Sequence, residues 1–219
     1  MSLKTHHYTY TARVSAAQLS AERQDRWLFE DVTFSVEPGQ MLHLKGCNGS
    51  GKTTLLRILC GLTAADKGQV CWGDRLITKQ RDEYHSQLSY VGHTDGIKND
   101  LTVEENLTIA AVLAKGKHHR QAGPDSRQTL MDVGLDKKRH TFVHDLSAGQ
   151  RRRLALARCL LNNTSIWILD EPLTALDLSG VKLVEGMINT HLQRDGIAIV
   201  TSHQALAINE DRCRDLNLS

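Results

Sequence analysis

Eight residues, Gly46-Cys47-Asn48-Gly49-Ser50-Gly51-Lys52-Thr53, constrain this chain more than any other stretch of it. They stand between a short apolar run, Met41 to Lys45, and a stretch of helical periodicity, Thr53 to Cys60. The pattern G-x-x-x-x-G-K-[ST], entered from a strand and left by a helix, makes a loop that cradles phosphates. Its glycines let backbone N–H groups turn inward around a β-phosphate, and the helix start adds the positive end of its dipole. Lys52 is expected to contact the β- and γ-phosphates of a nucleotide, and Thr53 to offer its hydroxyl to Mg2+. Gly46, Cys47, Asn48, Gly49, Ser50, Gly51 and Thr54 complete the expected cradle.

The rest of the chain supplies what such a loop needs around it. Ile166 to Leu169 and Ile197 to Thr201 read as further buried strands. Helical periodicity runs through Val103 to Lys115, Ser126 to Val133, Gln150 to Leu161 and Gly180 to Gln193. Strands alternating with helices imply a largely parallel sheet covered on both faces, an α/β fold of the P-loop NTPase kind. Ala12 to Leu19 and Val32 to Val36 alternate instead and predict an antiparallel β portion beside that sheet. Residues 1–11 are expected to be a flexible tail, with His6-His7 frayed, and 12–219 a single domain. Lys115 to Gln128 is the one loop-like stretch, inside an inserted helical portion at about 93–150.

Charge and composition remove several classes. Lys+Arg 27 against Asp+Glu 25 leaves a net charge of +2, which gives no support to nucleic-acid binding through bulk charge. No apolar run reaches the roughly 18 residues of a membrane span, and the polar N-terminus does not read as a secretory signal. Five cysteines without CxxC spacing argue against a disulfide framework or a zinc ribbon.

Asp170-Glu171 follows the apolar strand, and an Asp at the carboxyl end of a buried strand can hold Mg2+. Glu171 beside it can orient or deprotonate an attacking water. The histidines His118-His119, and His140 with His144, read as solvated or packing residues rather than metal ligands. Cys47 reads as a small residue tolerated at a variable position of the loop. Arg151, Arg152 and Arg153 open an amphipathic helix and are expected on its exposed face.

Leu146-Ser147-Ala148-Gly149-Gln150 joins the phosphate loop, Ile168-Leu169-Asp170-Glu171-Pro172, Ala175-Leu176-Asp177 and His203 in one order and spacing. From about Ala12 onward the chain resembles an ABC-transporter ATPase cassette. The resemblance implies a head-to-tail homodimer of cassettes with two ATP molecules at the interface. In that arrangement Ser147, Gly149 and Gln150 of one chain face the nucleotide held by Lys52 of the other. His203 is implied to contact the γ-phosphate and position the water, with Glu171 as the other catalytic residue and Asp177 at the dimer seam.

Two departures narrow the resemblance. His93 stands where the family usually has a glutamine that reaches Mg2+, so the metal set becomes Thr53, Asp170 and His93. The adenine-stacking aromatic is missing: Arg23 occupies its place, with Trp27 nearby. Together with Tyr84-His85, Gly96-Ile97-Lys98, Leu101-Thr102 and Glu105-Asn106-Leu107, they make the chain similar to the ATPases of cytochrome c maturation. That resemblance implies a peripheral subunit on the cytoplasmic face of the bacterial inner membrane, bound to integral membrane subunits of a haem-handling complex through the stretch from His93 to about Lys115. ATP hydrolysis then drives haem export or release of a haem-loaded periplasmic chaperone. An exporter of another substrate, a lipid or a drug, shares the same motifs and is the alternative. A ribosome-acting or DNA-repair ATPase needs a second cassette or a long coiled-coil insertion, for which 219 residues leave no room.

Overall fold

The computed structural model describes residues 8, 11–115 and 125–218. In chain order the elements are β1 (Val14–Arg23), β2 (Arg26–Val36), β3 (Met41–Lys45), α1 (Lys52–Leu59), β4 (Lys67–Trp72), β5 (Arg75–Leu76), α2 (Arg81–Ser86) and β6 (Leu88–Val91). There follow α3 (Val103–Lys115), α4 (Ser126–Asp132), α5 (Ala148–Asn162), β7 (Ile166–Asp170), α6 (Leu178–Gln193), β8 (Ile197–Thr201) and β9 (Cys213–Asn217).

These strands form two sheets with different pairing rules. One is antiparallel, in the order β2-β1-β4-β5; the other is parallel, in the order β6-β7-β8-β3-β9. The parallel strands are near-continuous apolar runs because both faces of their sheet are covered. Period-two alternation divides each strand between two cores. Ile166, Ile168, Ile197, Ile199, Leu42 and Leu44 enter the layer shared with α1 and the antiparallel sheet. Trp167, Leu169, Ala198, Val200 and Met41 enter the opposite layer, with residues of α3, α4, α5 and α6. Since all five strands run the same way, the turns after β3, β6, β7 and β8 emerge along one edge. That edge is where α/β sheets bind ligands.

The predicted strands and helices are present within a residue or two, and the antiparallel pair runs longer than its alternating cores. Sequence patterning missed β4, β5, β6, β9 and α2. β9 is an edge strand, paired on one side with β3, and only its Cys213 and Leu216 pack on the cores. His118-His119, His6-His7 and most of the expected loop lie outside the described residues. Tyr8, inside the segment expected as a tail, is bound: its hydroxyl is 2.8 Å from His191 Nδ1, and the Arg194 guanidinium lies 4.6 Å from its ring centre. No helix among the described residues is long and apolar enough to cross a membrane.

Candidate functional site

The loop between β3 and α1 holds itself in shape. Gly46, Gly49 and Gly51 have φ of 148°, 86° and 91°, a region L side chains rarely adopt. A Cβ on Gly46 would lie 2.5 Å from the Leu218 carbonyl oxygen and 2.6 Å from Ser50 Oγ, so the backbone turns where only glycine fits. Lys52 reaches back over the loop and donates to the carbonyls of Gly46 (2.6 Å) and Cys47 (3.0 Å). Ser50 Oγ is buried without a hydrogen-bond partner. An ammonium held by carbonyls, an orphaned hydroxyl and a glycine-walled cradle fit a phosphate chain. Cys47, Asn48, Gly49 and Thr53 are exposed, while Thr54 is half-buried.

The carboxylates come from β7. Asp170, 3% exposed, closes that strand in register with Thr201 of β8. Thr53 Oγ1 donates to Asp170 Oδ2 at 2.9 Å, and Thr201 Oγ1 donates to Asp170 Oδ1 at 2.7 Å. An oxygen-only pair of this kind, a threonine hydroxyl against a carboxylate, suits Mg2+. Glu171 has φ 51°, and its N–H is held by Thr201 Oγ1 at 2.8 Å. Its Oε1 is buried without a hydrogen bond and lies 3.5 Å from His203 Nε2, on a side chain 58% exposed. One free carboxylate oxygen beside an exposed imidazole is suited to gripping a water.

Comparison with known proteins gives the family. Residues 29–174 match the ABC transporter family. The cytochrome c biogenesis ATP-binding export protein CcmA of Nitrosococcus oceani is 46% identical, over 94% of this chain and 92% of its own. Its namesakes from Nitrosomonas europaea and Photobacterium profundum are 42% and 39% identical, again over 94% of this chain and over 95% and 99% of theirs. The chain belongs to this family. Among solved structures, a chain described as an ABC transporter ATP-binding protein from Pyrococcus furiosus superposes with a TM-score of 0.79 at 26% identity. That match covers 94% of this chain and 98% of the other.

The chain is therefore an ABC ATPase, and its remaining family motifs can be located. Ser147 caps α5: its Oγ accepts from Gln150 N at 3.2 Å, and Gln150 Oε1 accepts from Ser147 N at 3.0 Å. This reciprocal box leaves the helix N-terminus at an exposed serine, where an anion is favoured. Gly149 packs on the turn after β7, since a Cβ there would sit 2.7 Å from the Ala175 carbonyl oxygen. Asp177 caps α6 by accepting from Gly180 N at 2.8 Å, and that bond, helped by Ser179, draws its carboxyl below the usual range. No hydrogen bond or ion pair among the described residues links Ser147, Gly149 or Gln150 to the phosphate loop of the same chain.

His93, on the turn after β6, is exposed and hydrogen-bonds to no described residue. It is not brought to Asp170 or Thr53 by any contact of its own. Arg23 is exposed opposite Arg26 at the β1–β2 hairpin, and the Lys67 ammonium lies 4.9 Å from the centre of the Trp27 ring. Leu28 and Phe29, not Trp27, abut Gly51. His140 lies 3.5 Å from Glu104, and His144 is 3.1 Å from the Asn99 carbonyl.

Two residues in the site escaped sequence reasoning. Thr201 joins both carboxylate residues, and its only advance signal is a hydroxyl at the end of a buried strand. Arg152 corrects an expectation. It is not on the exposed face of α5 but 4% exposed, with Nη1 donating to Gly92 O (2.9 Å) and Asp95 Oδ1 (3.0 Å), and Nη2 to the Asp170 carbonyl. Consecutive residues on a helix point about 100° apart, and Arg152 lies on a side of α5 that the turn at residues 92–95 covers.

Proposed function

We propose that this ATPase is the energising subunit of a membrane complex in cytochrome c biogenesis, working as a head-to-tail pair of cassettes beside integral membrane subunits. Support for the cytochrome reading comes from the relatives, whose name describes an ATP-binding export function over nearly their whole length. Support for the chemistry comes from one observation above all: the unbonded Glu171 Oε1 facing His203.

In this reading the amides of residues 46–54 and Lys52 hold the β- and γ-phosphates of ATP, with Lys52 exchanging two carbonyls for phosphate oxygens. Thr53 and Asp170 would hold Mg2+, with His93 as a further ligand, and the ion would supply charge neutralisation on the phosphate oxygens. Glu171 accepts the proton of the attacking water and His203 fixes its position. Ser147, Gly149 and Gln150 at the start of α5 close on the γ-phosphate from the second chain, so hydrolysis requires two chains. Residues 12–219 act as one domain with a helical part at about 93–150. The subunit sits at the cytoplasmic face of the inner membrane, and haem, or its loaded periplasmic chaperone, is the species whose movement hydrolysis drives.

The test is covalent haem in c-type cytochromes of cells whose only copy is Glu171→Gln. Loss of haem attachment, with apo-cytochromes still made and exported, is expected. Normal attachment would exclude the cytochrome reading and leave export of another substrate, such as a lipid or drug, in its place.

A further inference from the structure

The peptide group between Asp170 and Glu171 is gripped at both ends. Its carbonyl accepts from Arg152 Nη2, and its N–H donates to Thr201 Oγ1 at 2.8 Å. A trans peptide points these two atoms in opposite directions, so bonds at both ends fix the rotation of its plane. The residue that follows is Glu171, whose φ of 51° is costly for a side chain of that size. Rotation of this plane is what a relaxation of Glu171 to negative φ requires. The grip therefore holds the glutamate, and the direction of its carboxylate, in place.

Arg152 reaches this peptide from α5, and its other amino group is committed elsewhere. Nη1 donates both to Gly92 O at 2.9 Å and to Asp95 Oδ1 at 3.0 Å, on the turn that carries His93. Arg158 holds the next residue of that turn, donating to Gly96 O at 2.8 Å. Asp95 is the one carboxylate bonded to the Arg152 guanidinium among the described residues, and Arg152 Nε is buried without a partner. Its geometry thus depends on Asp95 remaining where it is. Burying a guanidinium against two carbonyls and a single carboxylate is a poor way to gain stability. It does make the orientation of one peptide conditional on a turn some 75 residues away in sequence.

We propose that Arg152 is a positioning residue for hydrolysis: it fixes the Asp170–Glu171 peptide, and so the Glu171 carboxylate, only while the turn at residues 92–95 is docked. The proposal rests on the reading of Glu171 as the proton acceptor, and the experiment separates the two. Steady-state MgATP hydrolysis by the full-length chain is compared with affinity for a fluorescent ATP analogue in Arg152→Gln, Arg152→Lys, Asp95→Asn and Glu171→Gln. Arg152→Gln is expected to lose on the order of 100-fold in kcat, the scale of a small misplacement of a reacting group. KM and analogue affinity stay within about twofold, and Arg152→Lys, which keeps the charge, recovers part of the loss.

Asp95→Asn, a nearly isosteric change that removes the charge but keeps an oxygen for Arg152, is expected to lower kcat by about 10-fold with nucleotide affinity within about twofold, measured well below its lowered melting temperature. It carries the test if Arg152→Gln does not fold. A kcat within twofold of wild type in Asp95→Asn, or a loss in Arg152→Gln matched by an equal loss of nucleotide affinity, overturns the positioning role. If Glu171→Gln hydrolyses ATP normally, the underlying reading of Glu171 fails instead.

Discussion

Two turns leave the same edge of the parallel sheet, one after β3 and one after β6, and they are held in opposite ways. The turn after β3 is fixed mostly by itself: its glycines take the positive φ values, and its lysine bonds carbonyls five and six residues back. The turn after β6 is fixed from elsewhere, by Arg152 and Arg158 on α5, whose bonds to it span 57 to 62 residues. A turn whose polar bonds are mostly its own keeps its shape when distant parts of the folded molecule shift. A turn held from a distance is suited to passing on what happens at that distance.

The contrast predicts different signatures for changes in the two turns. The largest effect is expected from Lys52→Ala. Removing the ammonium should weaken MgATP binding by roughly 100- to 1,000-fold, as loss of a charge-assisted contact to phosphate does. The melting temperature should not fall, because Lys52 bonds only carbonyls of its own loop. Titration with a fluorescent ATP analogue and a thermal melt check both halves. A large drop in melting temperature would show that the loop is not self-contained.

Between the two cases stands His191, held locally by the Ile197 carbonyl at 3.0 Å and remotely by the Tyr8 hydroxyl at 2.8 Å. It is buried and stacked on Trp167, and burial pushes its pKa down to about 3. The native chain therefore keeps it neutral while the unfolded chain protonates it near 6.5. Below that pH the unfolded state binds the extra proton, so stability falls as pH drops from about 6.5 towards 3 and is unaffected above. The slope approaches about 1.4 kcal/mol per pH unit. Urea unfolding at pH 7, 6 and 5 should give a shallower pH dependence in His191→Gln; identical slopes would assign the acid sensitivity to other groups.

The smallest effect is expected from Arg158→Gln, which removes the bond to Gly96 at the far end of the second turn. A loss of about 1 kcal/mol in unfolding free energy is the scale of one partly exposed hydrogen bond. Nucleotide affinity should stay the same. A change in affinity would mean that the two turns are joined more tightly than their hydrogen bonds indicate.

The same contrast explains what the sequence made legible. The phosphate loop and the strand ending in Asp170 are local: each is written in fewer than ten consecutive residues, and each was readable, whereas the helix at Ser147 was expected to open only at Gln150. The serine cap could be anticipated because Gln150 follows it at the spacing of a capping box. Arg152 was misread because its burial depends on α5 lying across the ends of β6 and β7, which no periodicity in residues 148–162 announces. Thr201 escaped for a related reason, since its role comes from standing in register with Asp170 across a strand pair. The edge strand β9 has only Cys213 and Leu216 as apolar residues, three apart rather than alternating, so it was silent.

One pairing described above also bears on how the protein is made. β3, which delivers the phosphate loop, lies between β8 and β9, and both neighbours come from residues 197–217. A ribosome adding roughly 5–20 residues per second reaches those strands on the order of 10 to 30 s after it has finished β3. Throughout that interval the nucleotide loop exists in the nascent chain without the sheet that shapes it. Affinity for ATP is thus among the last properties the chain acquires, and a cell that halts synthesis short of these strands has no half-working motor to contend with.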